Sequence, residues 1–319
     1  MLTLGWRENA IDTTLCNHAT ACGDPRQDRT IRYVSTPPAA TFPDGTVRLT
    51  IPTRRGQLAG VRLDPAVSAR GTVILVPGFT GSKEDFIAVF EPLVELGWSV
   101  VSYDQLGQHE SAGPDDQTAY TLDLFAQDLL DVVSEVATGP VHVVGHSFGG
   151  LVGRHAALQD GGASFTSLTL FCTGPGPISS TRHDDLTALV DALPHTPLPL
   201  IYQVMDAADR ASGWEPPSQE VADMLEGRFL ANSPHGLRSK AAILLTADDR
   251  TAELVALAQT GLPIWVVYGE NDDAWPTAEQ DQVAAALGVS PVVIPNAAHS
   301  PNAENPLATA DAWNELFSR

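Results

Sequence analysis

Pro140-Val141-His142-Val143-Val144-Gly145-His146-Ser147-Phe148-Gly149-Gly150-Leu151-Val152-Gly153-Arg154-His155-Ala156-Ala157-Leu158 joins an apolar, strand-like run to a helix-like one through five residues, Gly145 to Gly149. The pattern predicts a strand, a sharp turn and a helix, with Ser147 at the turn. A serine on such a turn is forced toward positive φ, and glycines on either side remove the Cβ atoms that would clash there. The hydroxyl is therefore expected to be presented rather than buried. It also stands at the start of a helix, where free backbone N–H groups and the positive end of the helix dipole favour a developing oxyanion.

Working outward, strand-like stretches recur near 46–53, 57–63, 72–76, 98–103, 140–144, 167–172, 263–269 and 291–295. Amphipathic runs such as Glu84 to Leu96, Leu122 to Ala137 and Gly149 to Gln159 fall between the later ones. Arg55-Gly56 joins the first two strands tightly, which predicts an antiparallel hairpin. Strands separated by helices require right-handed parallel crossovers, so the fold class is α/β, a mostly parallel sheet with helices on both faces. From Gly174 to about Asp248 the alternation gives way to proline-rich, helical sequence, including Leu193-Pro194-His195-Thr196-Pro197-Leu198-Pro199. The expected division is an irregular N-terminal extension at 1–44, a core at 45–174 and 249–319, and a cap or lid insertion at 175–248. Ligand crevices in open α/β sheets lie at the carboxyl ends of the strands, so such a cap would wall a site there. Tyr202, Met205, Trp214, Met224 and Phe229 are candidates either for lining it or for the cap's own core.

A serine hydroxyl needs a histidine base and a carboxylate to hold that base. His299, in Asn296-Ala297-Ala298-His299-Ser300-Pro301, follows the last strand and is the candidate base; His183, His195 and His235 fall in the insertion. Asp272, in Tyr268-Gly269-Glu270-Asn271-Asp272-Asp273, is the candidate acid, with Asp273 as its rival. The turn after the preceding strand reads Thr173-Gly174-Pro175-Gly176-Pro177 and offers no carboxylate. Val76-Pro77-Gly78-Phe79-Thr80-Gly81 follows the strand at 72–76, where such a fold draws one oxyanion donor. The candidate donors are the backbone N–H groups of Phe79 and Phe148, with Gly78 turning the loop inward and His146 a further candidate for substrate contact.

The 319 residues suffice for a buried core, and the formal net charge of −21 argues against nucleic acid and anionic membrane surfaces as partners. No run of eighteen apolar residues is present, and Met1 to Asp12 carries Arg7, Glu8 and Asp12 where a signal peptide needs an apolar core. A cytoplasmic protein without membrane insertion is expected. Cys172 reads as a small buried hydrophobe. Cys16 and Cys22, with His18 between them, suggest a disulfide or part of a metal site, but three ligands fall short of the about four a metal needs, and chemistry on serine, histidine and a carboxylate requires no metal or organic cofactor.

These residues carry a resemblance. The chain resembles the α/β-hydrolase superfamily from about Thr46 onward, in Pro77-Gly78-Phe79-Thr80-Gly81, in Tyr103-Asp104-Gln105-Leu106-Gly107-Gln108-His109-Glu110-Ser111, in Gly145-His146-Ser147-Phe148-Gly149-Gly150, in Gly269-Glu270-Asn271-Asp272, and in His299 with Pro301, Glu304 and Pro306. The resemblance implies an eight-stranded sheet with its second strand antiparallel, a helical cap and a Ser147–Asp272–His299 triad. One departure is Gln108-His109, where the usual order is His-Gly; it puts that loop's conformation in doubt. The reaction so implied is hydrolysis of a small-molecule carboxylic ester or related acyl bond through an acyl-enzyme on Ser147. C–C bond hydrolysis, perhydrolysis or a lyase step on the same three residues, and a non-catalytic ligand-binding protein, are the alternatives. Serine at 147 disfavours haloalkane dehalogenases and epoxide hydrolases, which use a carboxylate there.

Overall fold

The computed structural model describes residues 35–180 and 182–319. Cys16, His18, Cys22 and most of the extension assigned to 1–44 lie outside the described residues. Residues 35–44 form neither helix nor strand, and Phe42 packs edge-on against Phe90 at 5.2 Å between ring centres.

Eight strands form one sheet: β1 (Val47–Thr53), β2 (Gly56–Leu63), β3 (Thr72–Val76), β4 (Ser99–Tyr103), β5 (Val141–His146), β6 (Ser167–Phe171), β7 (Ile264–Gly269) and β8 (Val292–Ile294). Their order is β1-β2-β4-β3-β5-β6-β7-β8. The hairpin expected at Arg55-Gly56 is present, and β2 runs antiparallel to both β1 and β4, while every pairing from β4 through β3, β5, β6 and β7 to β8 is parallel. The sequence explains the layering. Every residue of β3, β4, β5 and β6 is buried, because helices cover both faces of the central strands and leave no polar side for alternation. Strand β1, at the edge, alternates and has one wet face.

The helices are α1 (Ile87–Glu95), α2 (Leu122–Val136), α3 (Phe148–Asp160), α4 (Arg182–Ala192), α5 (Leu198–Ala211), α6 (Gln219–Leu230), α7 (Pro234–Thr246), α8 (Thr251–Ala258), α9 (Thr277–Leu287), α10 (Pro301–Glu304) and α11 (Pro306–Phe317). α1 packs on α10 and α11; on the other side α2 packs on α3, α3 on α8 and α8 on α9. α3 is the most enclosed, with Phe148 to Ala157 all buried, and it stops at Gly161, whose φ of +66° supplies the left-handed cap.

Four helices, α4 to α7, stand where the sequence interrupts its alternation. The starts of α5, α6 and α7 have local causes. Ser218 and Ser233 accept from Val221 N–H and Gly236 N–H, and proline opens α5 and α7 where a missing N–H costs nothing. Leu193, Leu198, Ile201, Phe229 and Leu237 give these helices a small apolar core of their own, against which Phe79 packs.

Because β3 to β8 point the same way, the loops after β3, β5, β7 and β8 emerge at one edge of the sheet. The order places β5 between β3 and β6, so residue 147 is flanked by the loop from 77 on one side and the turn from 172 on the other.

Candidate active site

Ser147 has φ 55° and ψ −118°, a backbone conformation that serine rarely adopts. The surroundings enforce it. A Cβ at Gly145 would lie 2.3 Å from Gly149 O, and one at Gly149 2.3 Å from Val76 O, so only glycine lets the turn close this tightly. Ser147 N–H donates to Phe171 O at 2.9 Å, tying the turn to the neighbouring strand. The expectation of a presented serine needs correction, since the residue is only 7% exposed. The turn lifts it clear of the sheet, but neighbouring loops close in; a Cβ at Gly78 would stand 3.3 Å from Ser147 Cβ.

His299 Nδ1 donates to Asp272 Oδ1 at 2.8 Å. Asp272 Oδ1 also accepts from Ala274 N–H at 3.1 Å and Oδ2 from Gln280 Nε2 at 2.8 Å. Burial drives this carboxyl up, but the charge on His299 and these hydrogen bonds outweigh it and hold Asp272 below its ordinary value. An ionised Asp272 only accepts, so Nδ1 of His299 carries a proton, which leaves Nε2 as the ring nitrogen that can exchange one. Asp273, the rival, is engaged elsewhere: its Oδ1 accepts from Arg182 Nη2 at 2.7 Å, at the start of α4.

His146, expected to touch substrate, is buried and serves the chain itself. Its Nε2 donates to the carbonyl oxygen of His299 at 2.7 Å, and its ring lies against His299, Phe171 and Phe86. Burial, then the charge on His299, pushes it down to about 3, so it stays neutral. Cys172 is buried and free, with φ 49°; burial and the nearby Asp272 carboxylate push its thiol up.

The loop after β3 is held from the 104–111 segment. Gln105 Nε2 donates to Pro77 O at 2.7 Å, and Gln108 Nε2 donates to Gly78 O at 2.8 Å and Phe79 O at 3.0 Å. The departure at Gln108-His109 thus has a structural content, with His109 taking φ 41° where the more usual glycine would be relaxed. Below lies Lys83, whose Nζ contacts Asp104, Glu84 and Glu110 at 2.8, 2.9 and 2.9 Å. Glu84, Asp104 and His109 have metal-ligand spacing, but the Lys83 ammonium already engages two of the three, Glu84 and Asp104. His146, Cys172 and His299 form a second such cluster, with Nε2 of His146 and Nδ1 of His299 committed to hydrogen bonds.

The candidate residues of the insertion pack chiefly against one another, and the loop after β3 reaches them through Phe79. Phe229 is buried in the insertion's own core beside Tyr202, at 5.6 Å between rings. Tyr202, Met205 and Trp214 line a cavity of about 20 Å³ together with Thr36, Asp206, Asp209 and Leu225, and that lining includes neither Ser147, Asp272 nor His299. Of these candidates for substrate contact, the structure joins Tyr202, Met205, Trp214 and Phe229 to each other and not to Ser147. Half-buried Phe79 bridges the main core and the insertion's. Gln105, Gln108, Gln280 and Arg182 were not visible from sequence as site residues. The one signal was position, since Gln105 and Gln108 follow a strand that ends at the same edge.

A mostly parallel sheet carrying a strained serine after β5 and an Asp–His pair after β7 and β8 defines the class of α/β hydrolases. The sequence model of the alpha/beta hydrolase family matches residues 73–312, and the chain belongs to that family. It is 31% identical over 211 residues to a Variovorax paradoxus protein named as the carbamate hydrolase RutD, covering 63% of this chain and 74% of that one. It is 35% identical over 86 residues to the proline iminopeptidase of Lactobacillus delbrueckii subsp. lactis, covering 26% of this chain and 29% of the relative. Among solved structures, an esterase from Thermogutta terrifontis superposes with a TM-score of 0.66 at 23% identity, covering 86% of this chain and 98% of that one. A bromoperoxidase from Bacillus anthracis superposes at 0.67 and 19%, covering 86% and 100%. The eight-stranded α/β-hydrolase fold is therefore shared with both. Among the described residues, no helix is long and apolar enough to cross a membrane.

Proposed function

We propose that this enzyme is a serine hydrolase that cleaves a carboxylic ester or related acyl bond of a small molecule, with Ser147 as nucleophile, His299 as base and Asp272 as the acid that orients it. The observation that carries the reading is the 2.8 Å Asp272–His299 hydrogen bond, formed at the sheet edge where the glycine-enforced turn holds Ser147. His299 Nε2 takes the Ser147 proton as Oγ attacks the carbonyl, and the oxyanion is received by the N–H groups of Phe79 and Phe148. The imidazolium then protonates the departing alcohol, leaving an acyl-enzyme. Water, activated by the same ring, releases the acid. Residues 175–248 act as a cap over this edge, a reading supported by the contact of Phe79 with the insertion's core and by the tie from Arg182 to Asp273. The names of the relatives and fold neighbours, a carbamate hydrolase, an iminopeptidase and an esterase, point to acyl bonds to oxygen or nitrogen.

The test is labelling with a fluorophosphonate, the adduct located by peptide mass spectrometry, beside Ser147→Ala and His299→Ala. Adduct at Ser147, lost in Ser147→Ala, and ester hydrolysis reduced by on the order of 10⁴ to 10⁶ in both variants are expected. Activity above a tenth of wild type in either variant sinks the assignment.

A further inference from the structure

We infer that Gln108 is a positioning residue for the oxyanion site, a clamp that aims the Phe79 N–H at the reacting carbonyl; the inference rests on the serine-hydrolase reading above. Three consecutive carbonyls of the loop after β3, those of Pro77, Gly78 and Phe79, accept from the buried amides of Gln105 and Gln108. Gln108 Oε1 accepts from Gln105 N–H at 3.1 Å, which fixes which way its amide faces, since a flipped amide would set oxygen against two carbonyls.

A trans peptide holds its C=O and N–H on opposite sides. Drawing Gly78 O toward Gln108 therefore turns the N–H of Phe79 to the other side of the loop. The loop approaches the nucleophile closely, as the 3.3 Å space between a Gly78 Cβ and Ser147 Cβ shows. Among the described residues, Phe79 N–H and Phe148 N–H have no hydrogen-bonded acceptor in the protein. The loop's acceptors are thus committed and its donor is left for a ligand, which is the condition an oxyanion site must meet without reorganising. Donation into Gly78 O also polarises the same peptide and strengthens its N–H as a donor. An adjacent loop of the core, not the insertion, sets this geometry.

The test compares wild type with Gln108→Met, which keeps bulk and removes the donor, Gln108→Asn, which keeps the amide but draws it back, and Gln105→Met, which releases only Pro77. Each is followed by its fluorophosphonate labelling rate at Ser147, by kcat and KM for p-nitrophenyl acetate, and by melting temperature. Labelling rate and kcat are expected to fall about 10- to 100-fold in Gln108→Met, with KM within about threefold of wild type, and less in Gln108→Asn and Gln105→Met. If Gln108→Met does not fold, the Gln108→Asn variant carries the comparison. Wild-type labelling and kcat in the folded variants overturn the clamp, as does a raised KM with unchanged kcat, the mark of a merely shaped binding surface. A wild-type protein that is not labelled at Ser147 overturns the serine reading itself, a failure distinct from that of the clamp.

Discussion

Asp272 and Asp273 are adjacent and chemically identical, yet the structure gives them unlike surroundings. The first accepts three hydrogen bonds, one from His299; the second accepts a guanidinium from α4. Asp272→Asn is expected to lower kcat by roughly 10³- to 10⁴-fold, because an amide facing Nδ1 favours the wrong tautomer of His299. Asp273→Asn should lower it no more than a few fold. Equal losses in side-by-side ester kinetics would refute the assignment of roles. The sequence could rank these two by position after a strand but not separate them, because what separates them is Arg182, ninety-one residues away in the chain. The glutamines were less legible still. A glutamine carries no signal of its partner until strand order sets β4 beside β3 and brings segment 104–111 against the loop at 77–79.

Among the elements, the strands were readable because the central ones are buried on both faces and so spell continuous apolar runs, with strand ends within a few residues of those expected. The insertion was readable only as an interruption. Its four helices share a core of only five buried residues, and α5 leaves Leu200 and Val204 exposed, so their apolar pattern marks helices without marking what they face. One buried ion pair helps to fasten the insertion: Arg228 on α6 donates to Asp85 Oδ1 at 2.6 Å, to Ser82 Oγ and to Ser35 O. Burial pushes Asp85 up in spite of Arg228, a sign that the pair's desolvation is not fully compensated. Arg228→Met should therefore cost about 3–5 kcal/mol by stranding a buried carboxylate, and adding Asp85→Leu should recover much of it. Urea unfolding of the single and double variants decides. A single variant as stable as wild type would show the anchor to be idle.

For the molecule as a whole, Lys240 ties stability to pH. Its ammonium on α7 is buried over the rings of Phe125 and Phe148, 5.0 and 5.8 Å from their centres. Burial pushes it down to about 7, against the pull of Asp104 and Asp128 and from an unfolded value near 10.5. The folded state therefore binds less proton between those limits, and stability from this group rises with pH across that window. The penalty is full below about 7 and gone above about 10.5. Lys240→Met should raise the melting temperature most at pH 6 and least at pH 10; a gain independent of pH would show that Lys240 is not held against its charge. Ser147 sets a different relation between stability and chemistry. Its φ and ψ are a glycine's, so the strain of holding a β-carbon there, on the order of 1–3 kcal/mol, is carried by the rest of the fold. The exchange that abolishes the proposed nucleophile, serine to glycine, relieves that strain. A screen that ranks variants by heat resistance would accordingly pass an inert protein, and a gene copy released from selection for catalysis could drift to glycine at 147 with its fold intact.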